Sequence, residues 1–441
     1  MHMGALRARP TWALLLVLGS PFPAAGQILT LDQAVESALL THPALAGALA
    51  RADGAAETLE VARAARLPGA LLSASVTRFQ DPMVVAPLHS FDPTNPPSFD
   101  ESLVQGRLGL QYTLFDSGER SSRVDGADAM AEAARYGAAA TEMEILEQVA
   151  AAYVRVLATR AVRQATTAQL DAIEEEHSRA LQQVDAGTVP ELEALRAAAS
   201  LQDVRAQAAA ANARVGLAER SLARLIGVGP ESVVTRSLAD VSAARSGPGD
   251  DRVTNPVLAR ADRAVQAAEA RVQEQRASRL PQLTLAAAVL DFGTTSGGHV
   301  AEWQAGLQVS WPVFTGGAGS AAIRRAEADL RATRSDLSAT ELQLAGQTDA
   351  AATAVLEADE RTLALETSVT QWEEVTRIEA LALEAGVGVQ SDLLRAQAGL
   401  FQARAGYARA RYDAVIARVS LARAQGVLDR NWLNNSLEIG R

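Results

Sequence analysis

The 441-residue sequence has no cysteine, only five histidines and 4% aromatic residues. Zero cysteines exclude a disulfide framework and an acylated amino-terminal cysteine, and so few histidines leave little to ligate a buried metal, so no metal site is expected. Scarce aromatics argue against a thick globular core. Alanine is frequent and mixed with Arg, Glu, Gln and Leu, a balance that suits long helices in thin contact. Beyond the amino terminus no stretch offers the ~20 uninterrupted apolar residues of a membrane-spanning helix. No basic stripe stands out, and a net charge of −11 speaks against a nucleic-acid partner. A phosphate loop, a nucleophile elbow and HExxH spacing are all missing, so no enzyme activity, catalytic residue or cofactor is expected.

Residues 1–26 carry Arg7 and Arg9, an apolar run from Trp12 to Leu18, then Ala24, Ala25 and Gly26. This is the pattern of a secretory signal peptide, cut near Gln27. Pro21 and Pro23 disfavour a buried or spanning helix there. If the chain crosses a membrane elsewhere, it does so by strands.

An internal repeat organises the rest. "THPALAGALARADGAAETLEVARAARLPGALLSA" aligns without gaps with "TNPVLARADRAVQAAEARVQEQRASRLPQLTLAA", at an offset of 213 (256 − 43). Further on, Phe115 meets Phe314, Gly118 meets Gly317 and Gly187 meets Gly386, at an offset of 199 (386 − 187). The 14-residue difference (213 − 199) falls between the two strands of each half, making 81–100 the longer loop. The expected organisation is repeat 1 over 27–229, a connector over 230–254, repeat 2 over 255–428 and a tail over 429–441. No proline interrupts Gly118 to Gly187 or anything after Pro312, so each half can hold a helix of roughly 65 residues, about 100 Å long. Glycines at 187, 386 and 388 allow tight reversals. Return helices follow from Pro190 and Gln390, giving long helical hairpins over about 118–227 and 316–427.

Before each hairpin the period changes to 2, predicting strand pairs over about 69–115 and 282–314. Val104, Gly106, Leu108, Leu110, Tyr112 and Leu114 make one apolar face. Trp303, Ala305, Leu307, Val309, Trp311 and Val313 repeat it. Strands of about 9–12 residues suit a tilted bilayer crossing, with Tyr112, Phe115, Trp303, Trp311 and Phe314 as interface aromatics. The same alternation also fits a half-buried pair in a soluble sandwich. Four strands cannot close a barrel alone, and lipid tolerates no open edge. The membrane reading therefore requires several chains, with three supplying twelve strands.

"LTLDQAVESALLTHPAL", "ARLPGALLSA", "SRLPQLTLAA", "LFDSG", "VFTGG", "LARLIGV" and the Gly-rich tips together resemble the outer membrane efflux proteins, the TolC-like trimeric channels of Gram-negative bacteria. The resemblance covers nearly the whole mature chain. It implies a mainly α fold: a homotrimer with a 12-stranded barrel in outer membrane lipid, an α-helical barrel through the periplasm and an equatorial belt that includes the connector. It further implies an adaptor (membrane-fusion) protein at the tips and an inner-membrane transporter of RND or ABC type. Gly187, Thr188, Val189, Gly386, Val387 and Gly388 are the expected adaptor contacts, although their role could be confined to making the turn.

The family's gate carboxylates map onto Asp392 in "VGVQSDLLRAQ", with Glu193 as its repeat equivalent. Arg395, matched by Arg196, stands where some members carry a second carboxylate. Asp392 also fits an ordinary helix-start residue favoured by the macrodipole. Glu174, Glu175, Glu176, Glu373 and Glu374 read as a solvated face or a cation-attracting lumen. The rival to a conduit is a secreted coiled-coil structural or adhesive protein without a pore.

Overall fold

The computed structural model describes residues 28–85, 93–94, 96, 98–234, 236–243 and 255–439. The expected signal segment lies outside them, as do parts of the loop over 81–100 and of the connector.

Each half opens on helices whose starts are written in the sequence. α1 (Leu31–Thr41) is capped by Thr30, with Gln33 completing a capping box. α2 (Pro43–Ala64) begins with proline at its first position behind His42. After the strands β1 (Gly69–Val84) and β2 (Phe99–Phe115) come α3 (Glu119–Asp185) and its return helix α4 (Glu191–Leu225). The connector holds one helical turn, α5 (Glu231–Val234), and a short strand, β3 (Val241–Ala243). The second half repeats the order: α6 (Pro256–Ala277), β4 (Gln282–Gly293), β5 (His299–Ser310), α7 (Ala318–Glu384) and α8 (Gln390–Gln425). The chain closes with α9 (Arg430–Ser436) and β6 (Leu437–Ile439).

The four long strands form one antiparallel sheet in the order β1-β2-β4-β5. Its register places Leu72 beside Leu108, Leu108 beside Val289 and Val289 beside Trp303. Because paired residues share a face, this apolar row crosses all four strands. The adjacent row is Ser73, Arg107, Leu290 and Glu302, and the next on that face is Leu71, Gly109, Ala288 and Gln304.

Two details correct the alternation read from sequence. A register shift between Thr113 and Phe115 sets Phe115, not Leu114, beside Leu283 on the apolar face, the re-aiming that a bulge produces. The last strand stops at Ser310 rather than near 314, because Pro312 has no N–H for a ladder. Trp311 and Val313 therefore follow the strand instead of extending its face.

Below the sheet the helices form one layer. α3 packs against both α4 and α8, and α8 packs against α7. The lower order is thus α4-α3-α8-α7, with α4 and α7 at the edges. Nearer the sheet α2 and α6 flank α3 in the same way, and α6 meets α7. Small side chains permit the close approach of helices, as where Ala358 meets Ala414 and Ala417. The main core lies midway, where α1, the middle of α3 and the ends of α4 and α8 surround Leu146, Val149, Val156, Leu222 and Val415.

The tail contributes Leu428, Leu433 and Leu437 to this core, and β6 pairs with β3 of the connector. The connector and the tail thus form a small sheet against the helical layer. Hydrophobic periodicity cannot reveal strands of three residues.

Candidate functional site

Three places carry the chemistry: the strand-to-helix junctions, the equatorial core and the hairpin tips. At the first junction Ser117 (φ 55°) and Gly118 (φ 93°) turn the chain left-handed, and at the second Gly316 (φ 62°) and Gly317 (φ 89°) do the same. A non-glycine residue there costs about 1–2 kcal/mol, and local bonds offset it. Asp116 accepts from the Gly118 and Arg120 backbone N–H groups at 3.2 and 3.1 Å and from the Arg120 guanidinium. Ser117 Oγ donates to Pro281 O at 3.2 Å. Burial pushes the Asp116 carboxyl up, but the hydrogen bonds from Arg120 and Gly118 outweigh it and hold the group below 3.8.

Around the junctions sit the expected interface aromatics. Phe115, Trp311 and Phe314 are exposed, and Trp311 Nε1 donates to Arg279 O at 3.2 Å. Tyr112 pairs with Leu285 on the apolar face, near the same end of the sheet. Trp303 lies in the middle part of β5, in the row of Val289 and Leu108, and is 76% exposed. The aromatics therefore occupy two levels of the sheet.

At the equator, polar side chains tie the connector to the long helices. The hydroxyl of fully buried Tyr153 lies 2.7 Å from Leu29 O and 2.9 Å from Ala239 O. Arg160 pairs with buried Glu219 at 2.6 Å and donates to Val233 O and Arg236 O, both at 2.9 Å. Asp240 accepts from Tyr412 at 2.9 Å and from Arg411. Burial, then the hydrogen bond to Asp240, pushes the Tyr412 hydroxyl up to about 12. These residues are absent from the expected sites. The one sequence signal was the tyrosines of the otherwise alanine-rich α3 and α8, of which Tyr153 and Tyr412 are two of four.

The tips are two copies of one closure. Gly187 N donates to Val184 O at 2.9 Å and Thr188 N to Gln183 O at 2.9 Å; Gly386 N and Val387 N donate to Leu383 O and Ala382 O, both at 3.0 Å. Both are Schellman motifs, with glycine (φ 68° and 74°) at the left-handed position. Gly388 is needed for space, since a Cβ there would fall 2.7 Å from Leu383 N. Val387 is 81% exposed at the apex, and Val189 follows Thr188 in the other tip.

Just inside each tip a carboxylate pairs with an arginine one turn on. Asp392 lies 3.0 Å from Arg395, and Glu193 lies 2.7 Å from Arg196. Each expected gate carboxylate thus carries its own counter-charge. The glutamate cluster above is not one solvated face. Glu174 pairs with Arg205, Glu373 with Arg404 and Glu374 with Arg377. Glu176, by contrast, is buried where it accepts from Gln390 on α8 and from Arg179. It thereby latches one hairpin to the other.

No helix among the described residues is long and apolar enough to cross a membrane. The comparisons with known proteins agree with this geometry. The chain is 26% identical over 342 residues to the outer membrane efflux protein BepC of Brucella suis biovar 1, covering 74% of each chain. It is 27% identical over 337 residues to the alkaline protease secretion protein AprF of Pseudomonas aeruginosa, 73% of this chain and 69% of that one. In fold it is similar to the outer membrane protein VceC of Vibrio cholerae, with a TM-score of 0.77 at 21% identity over 90% of this chain and 96% of that one. The family model described as outer membrane efflux protein matches residues 34–228 and 248–427, spanning both halves. The chain belongs to the outer membrane efflux protein family, a family of outer membrane channels.

Proposed function

We propose that three copies of the chain close into a passive conduit from the periplasm to the exterior. The observation that carries this reading is the unfinished state of the single chain. α7 buries two of its 67 residues, while edge strands β1 and β5 leave Leu72, Val76, Trp303 and Leu307 exposed. Joining β5 of one copy to β1 of the next removes every edge, as lipid demands. Two copies would give eight strands, a bore that side chains fill; three give twelve and an open one. The apolar row then faces lipid, and the row containing Gln304 faces the lumen.

The same closure seats α7 of one copy against α4 of the next, continuing the helical layer into a tube of twelve long helices. α1, α5, β3, α9 and β6 pack on one face of that layer. Three such packets would fill a bore, so this face is external and the opposite face lines the duct. The exposed tips around Thr188 and Val387 are apolar, solvent-facing loop ends that suit docking by a periplasmic adaptor. Through it an inner-membrane transporter of RND or ABC type would deliver cargo and supply the energy. Residues 1–26 fit an export signal for this route.

In this assembly Asp392 and Glu193 ring the periplasmic entrance together with Arg395 and Arg196. Paired carboxylates and guanidiniums make the ring nearly neutral, so removing either sign exposes the other. The test is single-channel conductance of detergent-purified protein in planar bilayers. Wild type should form small channels, and Asp392→Ala, alone or with Glu193→Ala, should shift their selectivity toward anions through the unmasked arginines. Channels indifferent to both substitutions would move the entrance elsewhere, and a protein that never inserts would contradict the conduit.

A further inference from the structure

The face of the helical layer opposite the connector carries a groove that a neutral conduit does not explain. Every one of the chain's 41 cationic residues is an arginine. Many of them meet a carboxylate, as Arg160, Arg205 and Arg404 do. Between α3, α4 and α8 the pattern breaks. Arg155, Arg214, Arg224 and Arg409 line a groove of about 510 Å³ whose lining holds no carboxylate. Among the described residues none of these four guanidiniums has a hydrogen bond or ion pair. Arg155 stands two residues from Tyr153, which puts it on the side of α3 away from the connector.

A neighbouring copy does not supply the missing charge at Arg224. Inside the chain its repeat equivalent, Arg423, pairs with Glu147 at 2.7 Å. The residue of α7 equivalent to Glu147 is Gly346 (147 + 199), so the same contact between copies sets a glycine against Arg224. Four like charges in an acidic protein, with no carboxylate in the lining they share, attract an anion.

The rest of the groove is mostly small and apolar, with Val162, Leu217 and three alanines beside Thr159 and Ser221; Val162 and Arg409 also line an adjoining groove of about 750 Å³, again without a carboxylate. There α7 contributes Trp372 and α8 contributes Phe401. A Cβ at Gly399 would fall 2.8 Å from the Trp372 ring, so glycine at this position lets the indole lie against the α8 backbone. An aromatic shelf thus runs into a rim of guanidiniums, whose planar forks match sulfonate, phosphate and carboxylate oxygens.

We propose that this groove binds amphipathic organic anions, with the apolar body against Trp372 and the anionic head among the four arginines. The conduit reading gives the groove its place, on the wall of the duct; the binding itself does not depend on that reading.

The test is a titration of the full-length, detergent-purified protein with naphthalene-2-sulfonate, with uncharged 2-naphthol as control, read calorimetrically and by tryptophan quenching. Wild type should bind the sulfonate saturably. The variant R155Q/R214Q/R224Q/R409Q should weaken that binding roughly tenfold or more and leave naphthol unchanged, while Trp372→Ala weakens both. Should the fourfold variant not fold, Arg155→Gln and Arg409→Gln singly carry the same expectation at smaller size. Absence of saturable binding, equal affinity in the arginine variants, or loss of the oligomer on native electrophoresis in the fourfold variant would overturn the proposal. The last outcome would assign these arginines to the contact between copies. Conductance separates the two readings: channels without sulfonate binding remove the groove alone, and binding without channels removes the conduit alone.

Discussion

α3 and α7 are the same helix written twice. Each has 67 residues, each starts from a left-handed glycine and each ends in a Schellman tip, yet α3 buries 18 residues and α7 buries two. Leu157 and Leu356 are equivalent (157 + 199), and the first is 8% exposed while the second is 68% exposed. What differs is the number of neighbours. α3 lies between α4 and α8, whereas α7 ends the layer. Along its lower length α7 has one neighbour, α8, within its own chain, and the proposed assembly would supply the other.

The strongest way to break this comparison is to cut both leucines back. Leu157→Ala should destabilise the equatorial region by about 2–4 kcal/mol, since it leaves a cavity the packed layer cannot close. Leu356→Ala should change the stability of dissociated chains by no more than about 0.5 kcal/mol and instead raise the protein concentration needed for the oligomer to persist. Denaturant unfolding of both variants, paired with sedimentation in detergent, reads the two effects. Equal losses of chain stability would mean that α7 is covered within its own chain.

A smaller effect sharpens the comparison at the junctions, where the first copy uses Asp116 and Ser117 and the second uses Thr315 and Gly316. Because the Asp116 carboxyl is held below 3.8, its stabilisation is complete above that ordinary value and is lost as pH falls through the lowered one. Asp116→Asn should therefore lower the melting temperature at neutral pH, by on the order of 1 kcal/mol in stability. The gap to wild type should narrow below pH 3.8. A gap that stays constant into acid would show that the charge of Asp116 contributes nothing to the turn.

Much of the fold was legible in the sequence because it rests on local signals. Pro43 and Pro256 mark helix starts, the proline-free spans mark the long helices, and the alternation around Leu108 and Trp303 marks the strands. The equal offset of both tips tied the halves together. The rest depends on contacts between distant residues. Nothing near Arg160 in sequence announces Glu219 or Val233, and β3 finds its partner β6 almost 200 residues away. Asp392 and Glu193 were visible as carboxylates near a tip, and so were Arg395 and Arg196; their pairing requires the helical turn that brings residues three apart together. Glu176 looked like one of three consecutive surface glutamates until α8 was placed against it.

The central claim is that α7 of one copy lies against α4 of the next as α3 lies against α8 within a chain. Ser420 donates to Glu147 across α8 and α3 at 2.8 Å. Their equivalents are Ser221 (420 − 199) on α4 and Gly346 (147 + 199) on α7. In a protein without natural cysteines, Ser221→Cys with Gly346→Cys should oxidise to an intermolecular disulfide, and denaturing electrophoresis without reductant should show dimers and trimers and nothing larger. A ladder running past the trimer, or cross-linking within single chains alone, would contradict the closed three-copy assembly.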